Sequence, residues 1–182
     1  MTSEEASGGT RDALERTLRT SPVTGIRVDP VLTAVLLAEL LAPSPEIWLV
    51  SAWVSDVPAV DNSSGDYDSL IADASARVYQ LSEVLAMLTE RGTRLTVVTR
   101  AVPENDSFLD RLGRVAVRQQ LRIIRSPDAH EKTFCGSDWL LSGSMNFTIN
   151  GMTVNDELVT YKLDGSAAAQ ARVDLAHRWT NS

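Results

Sequence analysis

From Ile47 to Val54 the chain reads Ile-Trp-Leu-Val-Ser-Ala-Trp-Val, almost without polar interruption. The run is rich in β-branched and aromatic residues and too short for a core helix, so it predicts a strand buried in the middle of a sheet. Its neighbours repeat the theme. Arg94–Thr99, Leu121–Ile124 and Leu158–Leu163 have strand character. Between them Val31–Leu41, Val78–Thr89, Ser107–Gln119 and the segment from Gly165 to Trp179 have helical spacing, and Arg11–Leu18 could form a short amphipathic helix. Asp29-Pro30 reads as a helix start with aspartate as N-cap, Pro43 as its stop, and Arg91-Gly92 as the stop of the next. Gly136-Ser137 reads as a two-residue hairpin turn with glycine first, which forces one antiparallel pair into the sheet. The expected class is α/β, a mixed β-sheet flanked by helices.

A chain of 182 residues that is 43% hydrophobic supports one domain, taken as 11–182 behind a disordered tail at 1–10. One cysteine, Cys135, excludes an internal disulfide, and two histidines, His130 and His177, argue against a histidine-rich metal centre. Cys135 is read as a buried strand residue and His177 as the end of a helix. No metal or other cofactor is expected. The polar, acidic start is wrong for a signal peptide, and Val31–Leu41 is about half the length that spans a bilayer. The expectation is a soluble, cytoplasmic protein with no membrane contact.

The formal net charge of −7 is unfavourable for gripping a phosphate backbone. Arginines nevertheless gather between Arg91 and Arg125, and acidic residues gather at the N-terminus and in the Asp56–Asp68 loop, so an asymmetric surface remains open beside ordinary solvated arginines. That loop follows the first strand, where α/β folds place ligands, and is long enough to be functional or mobile.

The chemistry is concentrated in 129–157, AHEKTFCGSDWLLSGSMNFTINGMTVNDE. His130 and Lys132 are two apart, which on a strand puts imidazole and ammonium on one face. Gly143-Ser144-Met145-Asn146 supplies a small-residue turn with a hydroxyl and a carboxamide. Asn155-Asp156-Glu157 supplies a carboxylate. These are the groups needed to hold a phosphate diester and attack its phosphorus.

The stretch resembles the signature of the phospholipase D superfamily, H-x-K-x4-D followed by G-S-x-N and N-x-E. His130, Lys132, Gly143, Ser144, Asn146, Asn155 and Glu157 fill its positions, while the family's aspartate position holds Ser137, with Asp138 one residue later. A shift of one residue reverses the face in a strand, but a turn at Gly136-Ser137 could re-aim Asp138. The resemblance implies a phospholipase-D-like fold with one such motif per chain. Members that complete a site within one chain carry two copies; this chain has no internal repeat, so two chains would pair as a homodimer.

The implied mechanism is metal-independent. His130 attacks phosphorus to give a phosphohistidine, and its symmetry mate protonates the leaving oxygen and then activates water. Lys132, Asn146 and Ser144 hold the non-bridging oxygens, and Glu157 fixes the second nitrogen of His130. Trp53, at the end of the first strand, is a candidate stacking platform for a base. The implied substrate is nucleic acid, DNA ahead of RNA. The wording around the motif also resembles phospholipase-D-like proteins of bacterial anti-phage systems, which implies a motor (ATPase) or recognition subunit as partner. A catalytically silent phosphate-binding module and, behind it, a phospholipid-processing enzyme are the alternatives.

Overall fold

A computed structural model describes residues 13–21, 27–72, 74–153 and 155–180. The expected tail at 1–10 lies outside them. A seven-stranded sheet takes the order β1-β9-β8-β7-β2-β5-β6. Its strands are β1 (Leu14–Arg19), β2 (Glu46–Val50), β5 (Arg94–Thr99), β6 (Leu121–Arg125), β7 (Thr133–Cys135), β8 (Trp139–Gly143) and β9 (Leu158–Leu163). β2, β5 and β6 are parallel, whereas β7, β8, β9 and β1 follow on antiparallel. The sheet is mixed, as the hairpin requires.

Alternation along β2 explains how the strand is buried on both faces. Ile47 and Leu49 join Leu95, Val97 and Phe134 in the larger core, beneath α1 (Asp29–Leu41), α2 (Leu81–Glu90) and α3 (Asp106–Val115). Trp48 and Val50 join Val98, Ala129, Cys135, Leu175 and Trp179 on the opposite face, beneath α5 (Gly165–Thr180). Two helical layers thus enclose the sheet, and the period of two along the strand divides its apolar side chains between them.

Several expectations are corrected. Residues 14–19, read as helix, form β1, because β9 offers an open antiparallel edge and Thr17 Oγ1 meets Thr160 Oγ1 at 3.0 Å. Tertiary pairing overrides the local helical pattern. Asp29 is the first residue of α1 rather than its cap, and it pairs with Arg27 at 2.8 Å. The first strand stops at Val50, so Trp53 lies in the bend beyond it.

The 56–68 loop is built rather than loose. Pro58–Asp61 forms β3 and pairs with β4 (Val78–Gln80), so Val78 belongs to a strand and α2 begins at Leu81. Asp56 accepts from Ser82 N and Oγ, both at 2.8 Å, and buried Asn62 ties Asp68 and Tyr67 together. A short helix at 149–153, α4, was not legible.

The β7–β8 turn also differs by one residue. Gly136 N donates to Trp139 O at 3.1 Å, which leaves Ser137-Asp138 at the tip. Gly136 serves clearance: a Cβ there would stand 2.5 Å from Trp139 Nε1 and 2.6 Å from Ser44 Oγ. The space belongs to Glu39, a buried carboxylate that accepts from Ser44 N (2.7 Å), Ser44 Oγ (2.7 Å) and Trp139 Nε1 (2.6 Å). Burying a polar group is tolerable when its oxygens are hydrogen-bonded in this way.

Candidate functional site

The parallel strands β2, β5 and β6 end at the same edge of the sheet, where β7 and β9 begin and β8 ends. Ser51–Trp53, Arg100, His130–Lys132, Ser144–Asn146 and Asn155–Glu157 lie at that edge. This is the carboxyl end of the parallel strands, where α/β sheets open crevices.

His130 is exposed and stands before β7 rather than on it, so its side chain is not set by strand alternation. It shares a cleft of about 690 Å³ with Ile124, Arg125, Asp128, Arg178 and Trp179. Its Nε2 lies 3.2 Å from a guanidinium nitrogen of Arg100. An arginine cannot accept a hydrogen bond. In this contact Arg100 is therefore the donor and Nε2 the acceptor. Lys132, also outside the strand, donates from Nζ to the His130 carbonyl oxygen at 2.5 Å, so the two side chains do not share one strand face. The Lys132 carbonyl accepts from Gly143 N at 3.3 Å, which fastens this segment to β8.

Gly143 is needed where it stands, since a Cβ would meet the Leu158 carbonyl oxygen at 2.0 Å. Close approach of β9 then aligns the next residue: Ser144 N donates to Leu158 O at 3.0 Å, and Leu158 N donates to Ser144 Oγ at 3.0 Å. Ser144 Oγ donates in turn to a carboxylate oxygen of Glu157. The other oxygen of Glu157 lies 3.4 Å from the Asn155 amide nitrogen. Glu157 is thus engaged by Ser144 and Asn155; the expected bond to the second nitrogen of His130 is not formed.

Asn146 is half-buried, with Oδ1 3.4 Å from both Ser51 Oγ and the Trp53 amide. Ser51 Oγ donates to Trp53 O at 2.6 Å and accepts from Phe147 N at 3.3 Å, knitting the β2 end to the G-S-x-N turn. Gly151 has its reason here as well, because a Cβ would fall 2.3 Å from the Asn146 carbonyl oxygen. Trp53 is 38% exposed, and Arg100 lies over its ring at 5.2 Å from the centroid, so one stacking surface is already taken by a guanidinium.

Asp138 is not brought to this edge. It sits exposed at the tip of the β7–β8 turn, the opposite end of both strands, and a Cβ on Gly165 would lie 3.1 Å from its Oδ1. The displacement of the motif's aspartate therefore leaves the residues around His130 untouched.

Two residues of this edge were not singled out from the sequence. Arg100 counted only as one of many arginines; of the others, Arg91 bonds the Leu40 and Leu70 carbonyls, Arg111 pairs with Asp56 and Glu83, and Arg125 pairs with Asp106. The available signal was its place immediately after a parallel strand. Asn105, fully buried, donates from Nδ2 to Ala52 O (3.0 Å), Thr99 Oγ1 (2.6 Å) and Arg100 O (2.9 Å), and accepts from Val54 N (2.8 Å). It clamps the β2 and β5 ends together and has no local sequence signature.

Cys135 is buried, as expected, and burial pushes its thiol up from 9.0 to about 12 despite the nearby Arg172 guanidinium. Among the described residues no group of three or more His, Cys, Asp or Glu side chains could hold a metal ion, and no helix is long and apolar enough to cross a membrane.

No protein-family profile and no curated protein matches the chain. Solved structures do. Nuc from Salmonella typhimurium, a phospholipase D family member, superposes with a TM-score of 0.59 at 14% identity, covering 93% of this chain and 95% of Nuc. NucT from Helicobacter pylori gives 0.57 at 10% identity, with 94% and 98% covered. Phosphatidylserine synthase from Haemophilus influenzae gives 0.57 at 14% identity, with 91% of this chain but 38% of the synthase covered. The antiparallel hairpin beside parallel strands and the helices on both faces belong to a known architecture: this chain has the phospholipase D fold.

Proposed function

We propose that the protein is a metal-independent phosphodiesterase of the phospholipase D superfamily, a nuclease that cleaves nucleic acid, DNA ahead of RNA. The observation that carries this reading is the exposed His130, its Nε2 accepting from Arg100, at the sheet edge that also bears Lys132, Ser144 and Asn146. A neutral imidazole with a lone pair on its outer nitrogen is a nucleophile in the protonation state the chemistry needs. Attack by Nε2 forms the N–P bond as the P–O bond to the leaving group breaks. A second His130, protonated, gives its proton to the departing oxygen. It then takes one from water, whose oxygen attacks phosphorus and releases His130.

One chain supplies one such imidazole, so the working unit is a homodimer that brings two His130 rings onto one phosphate. The net charge of −7 gives little general affinity for a polyanion. A recognition or motor subunit that does the gripping accords with this, and we place the enzyme in the cytoplasm, in anti-phage defence.

The test is cleavage of end-labelled DNA in EDTA by wild type and His130→Ala. Cleavage by wild type alone, with a ³²P adduct that is lost in acid, supports the nuclease. Cleavage by both points to a contaminant, and cleavage by neither sinks the reading. A second reading, a dimeric phosphate-binding module without turnover, is favoured by one observation. Glu157 bonds Ser144 and leaves the imidazole without the carboxylate that would stabilise its charged form.

A further inference from the structure

Arg100 follows β5 directly, with two attachments that are each weak for an arginine. One is Nε2 of His130 at 3.2 Å, the other the face of Trp53 at 5.2 Å. A third contact, Nε to Pro127 O, is long at 3.4 Å. Among the described residues no carboxylate pairs with this guanidinium, in contrast to Arg77, Arg111 and Arg125. Its backbone, however, is fixed, since Arg100 N donates to Ala52 O (3.3 Å) and Arg100 O accepts from the buried Asn105 amide (2.9 Å). A guanidinium without an ionic partner, on a backbone that is held, is thus aimed at the nitrogen that is to attack.

The lone pair that accepts from Arg100 is the same in-plane lone pair that must reach phosphorus. Both cannot use it together. A diester brought against Nε2 carries two non-bridging oxygens that share one negative charge, and charge-assisted bonds to such oxygens are about twice as strong as neutral ones. The arginine therefore has a better partner as soon as substrate arrives, and leaving the imidazole for it uncovers the nucleophile.

We propose that Arg100 is a substrate-binding residue for the phosphate diester. In the empty site it caps His130 Nε2 and holds the proton on Nδ1, and on loading it transfers to a non-bridging oxygen. This rests on the phosphodiesterase reading and adds to it a residue outside the H-x-K, G-S-x-N and N-x-E elements. It also assigns Trp53 a role, as the shelf on which the guanidinium waits.

The test uses the full chain, ¹⁵N-labelled, as wild type, Arg100→Met and Arg100→Lys, with inorganic phosphate as probe. Long-range ¹H–¹⁵N spectra of the imidazole at mildly alkaline pH should show Nε2 as the unprotonated nitrogen in wild type. In Arg100→Met the ring should move to a mixture in which Nε2–H predominates. Phosphate affinity should fall at least tenfold in Arg100→Met and be partly restored in Arg100→Lys, which keeps the charge without the fork. Trp53 fluorescence should respond to phosphate in wild type and not in Arg100→Met.

Protonated Nε2 in the wild-type empty site, or phosphate affinity within twofold across the variants, overturns the proposal. Absence of phosphate binding by wild type overturns it too. If the tautomer and affinity behave as expected while no diester, DNA included, is cleaved, Arg100 keeps its role and the nuclease reading alone fails.

Discussion

The Ser144 hydroxyl donates to the Glu157 carboxylate across the β8–β9 ladder, and the same oxygen accepts from the Leu158 amide. The serine is thus the centre of a small relay that fixes where the carboxylate points. Ser144→Ala and Glu157→Gln should each lower diester hydrolysis roughly ten- to hundredfold, as loss of a supporting partner does at other sites. The double variant should lose little more than either one. A coupling energy near zero in that cycle would mean the two residues act separately.

Asp138 stands at the far end of β7 and β8 from His130. Asp138→Ala should leave kcat and KM within about twofold, because surface changes away from buried networks typically shift stability by no more than about 0.5 kcal/mol. A loss comparable to that of His130→Ala would show that the family's aspartate role had moved to this residue after all.

Asn105 is completely buried with every amide group engaged, and its partners belong to the ends of β2 and β5. Asn105→Ala leaves the Val54 amide without its acceptor, while Ala52 O keeps the Arg100 amide and the Thr99 hydroxyl, a cost of about 1–3 kcal/mol for the one buried group left unsatisfied. Denaturant midpoints measure that cost. In the protein that stays folded, activity should drop at least tenfold, since Arg100 and Trp53 lose their common support.

At the opposite end, Gly136→Ala would drive a methyl into the Glu39–Ser44–Trp139 cluster, where the nearest atom lies 2.5 Å from the new carbon. Overpacking of this kind costs about 1–3 kcal/mol. Thermal unfolding should show the loss, while kcat of the folded fraction stays near that of wild type. A selective fall in kcat would tie the turn to the chemistry.

Burial raises the Cys135 thiol from 9.0 to about 12, so the fold binds that proton more tightly than the unfolded chain does. The corresponding stability is fully present below pH 9.0 and is lost as pH rises towards about 12. Alkaline unfolding should therefore be steeper for wild type than for Cys135→Ala. Thiol reagents at neutral pH should react with the protein only in denaturant, and rapid labelling of the native form would contradict the buried position.

The sequence conveyed most of what period and turn chemistry can convey. β5, β6 and β9 lie within a residue of where apolar alternation puts them, and the resemblance at His130, Lys132, Ser144 and Asn146 accords with the phospholipase D fold. It failed where distant partners decide. Leu14–Arg19 has helical spacing yet pairs with β9, and Val78 looks like the first apolar position of α2 yet pairs with Asp61. Gly136 looks like a turn residue, but what it clears is Glu39, nearly a hundred residues earlier (about the span of a small domain). Arg100 and Asn105 were silent for the same reason: their partners are close only once β2, β5 and β7 lie side by side.

β7 is the shortest strand of the sheet's centre, Thr133–Cys135, held between β2 and β8. Its brevity makes it a gauge block. Were it to slip along β2 by a single step, Phe134 would leave the apolar layer it fills against Trp139 and Phe147. The imidazole upstream would then miss Arg100 by a full pleat. The edge-to-face rings on one side of the sheet thereby police the alignment of the nucleophile at its rim, and enlarging or trimming Phe134 should misplace His130 without touching it.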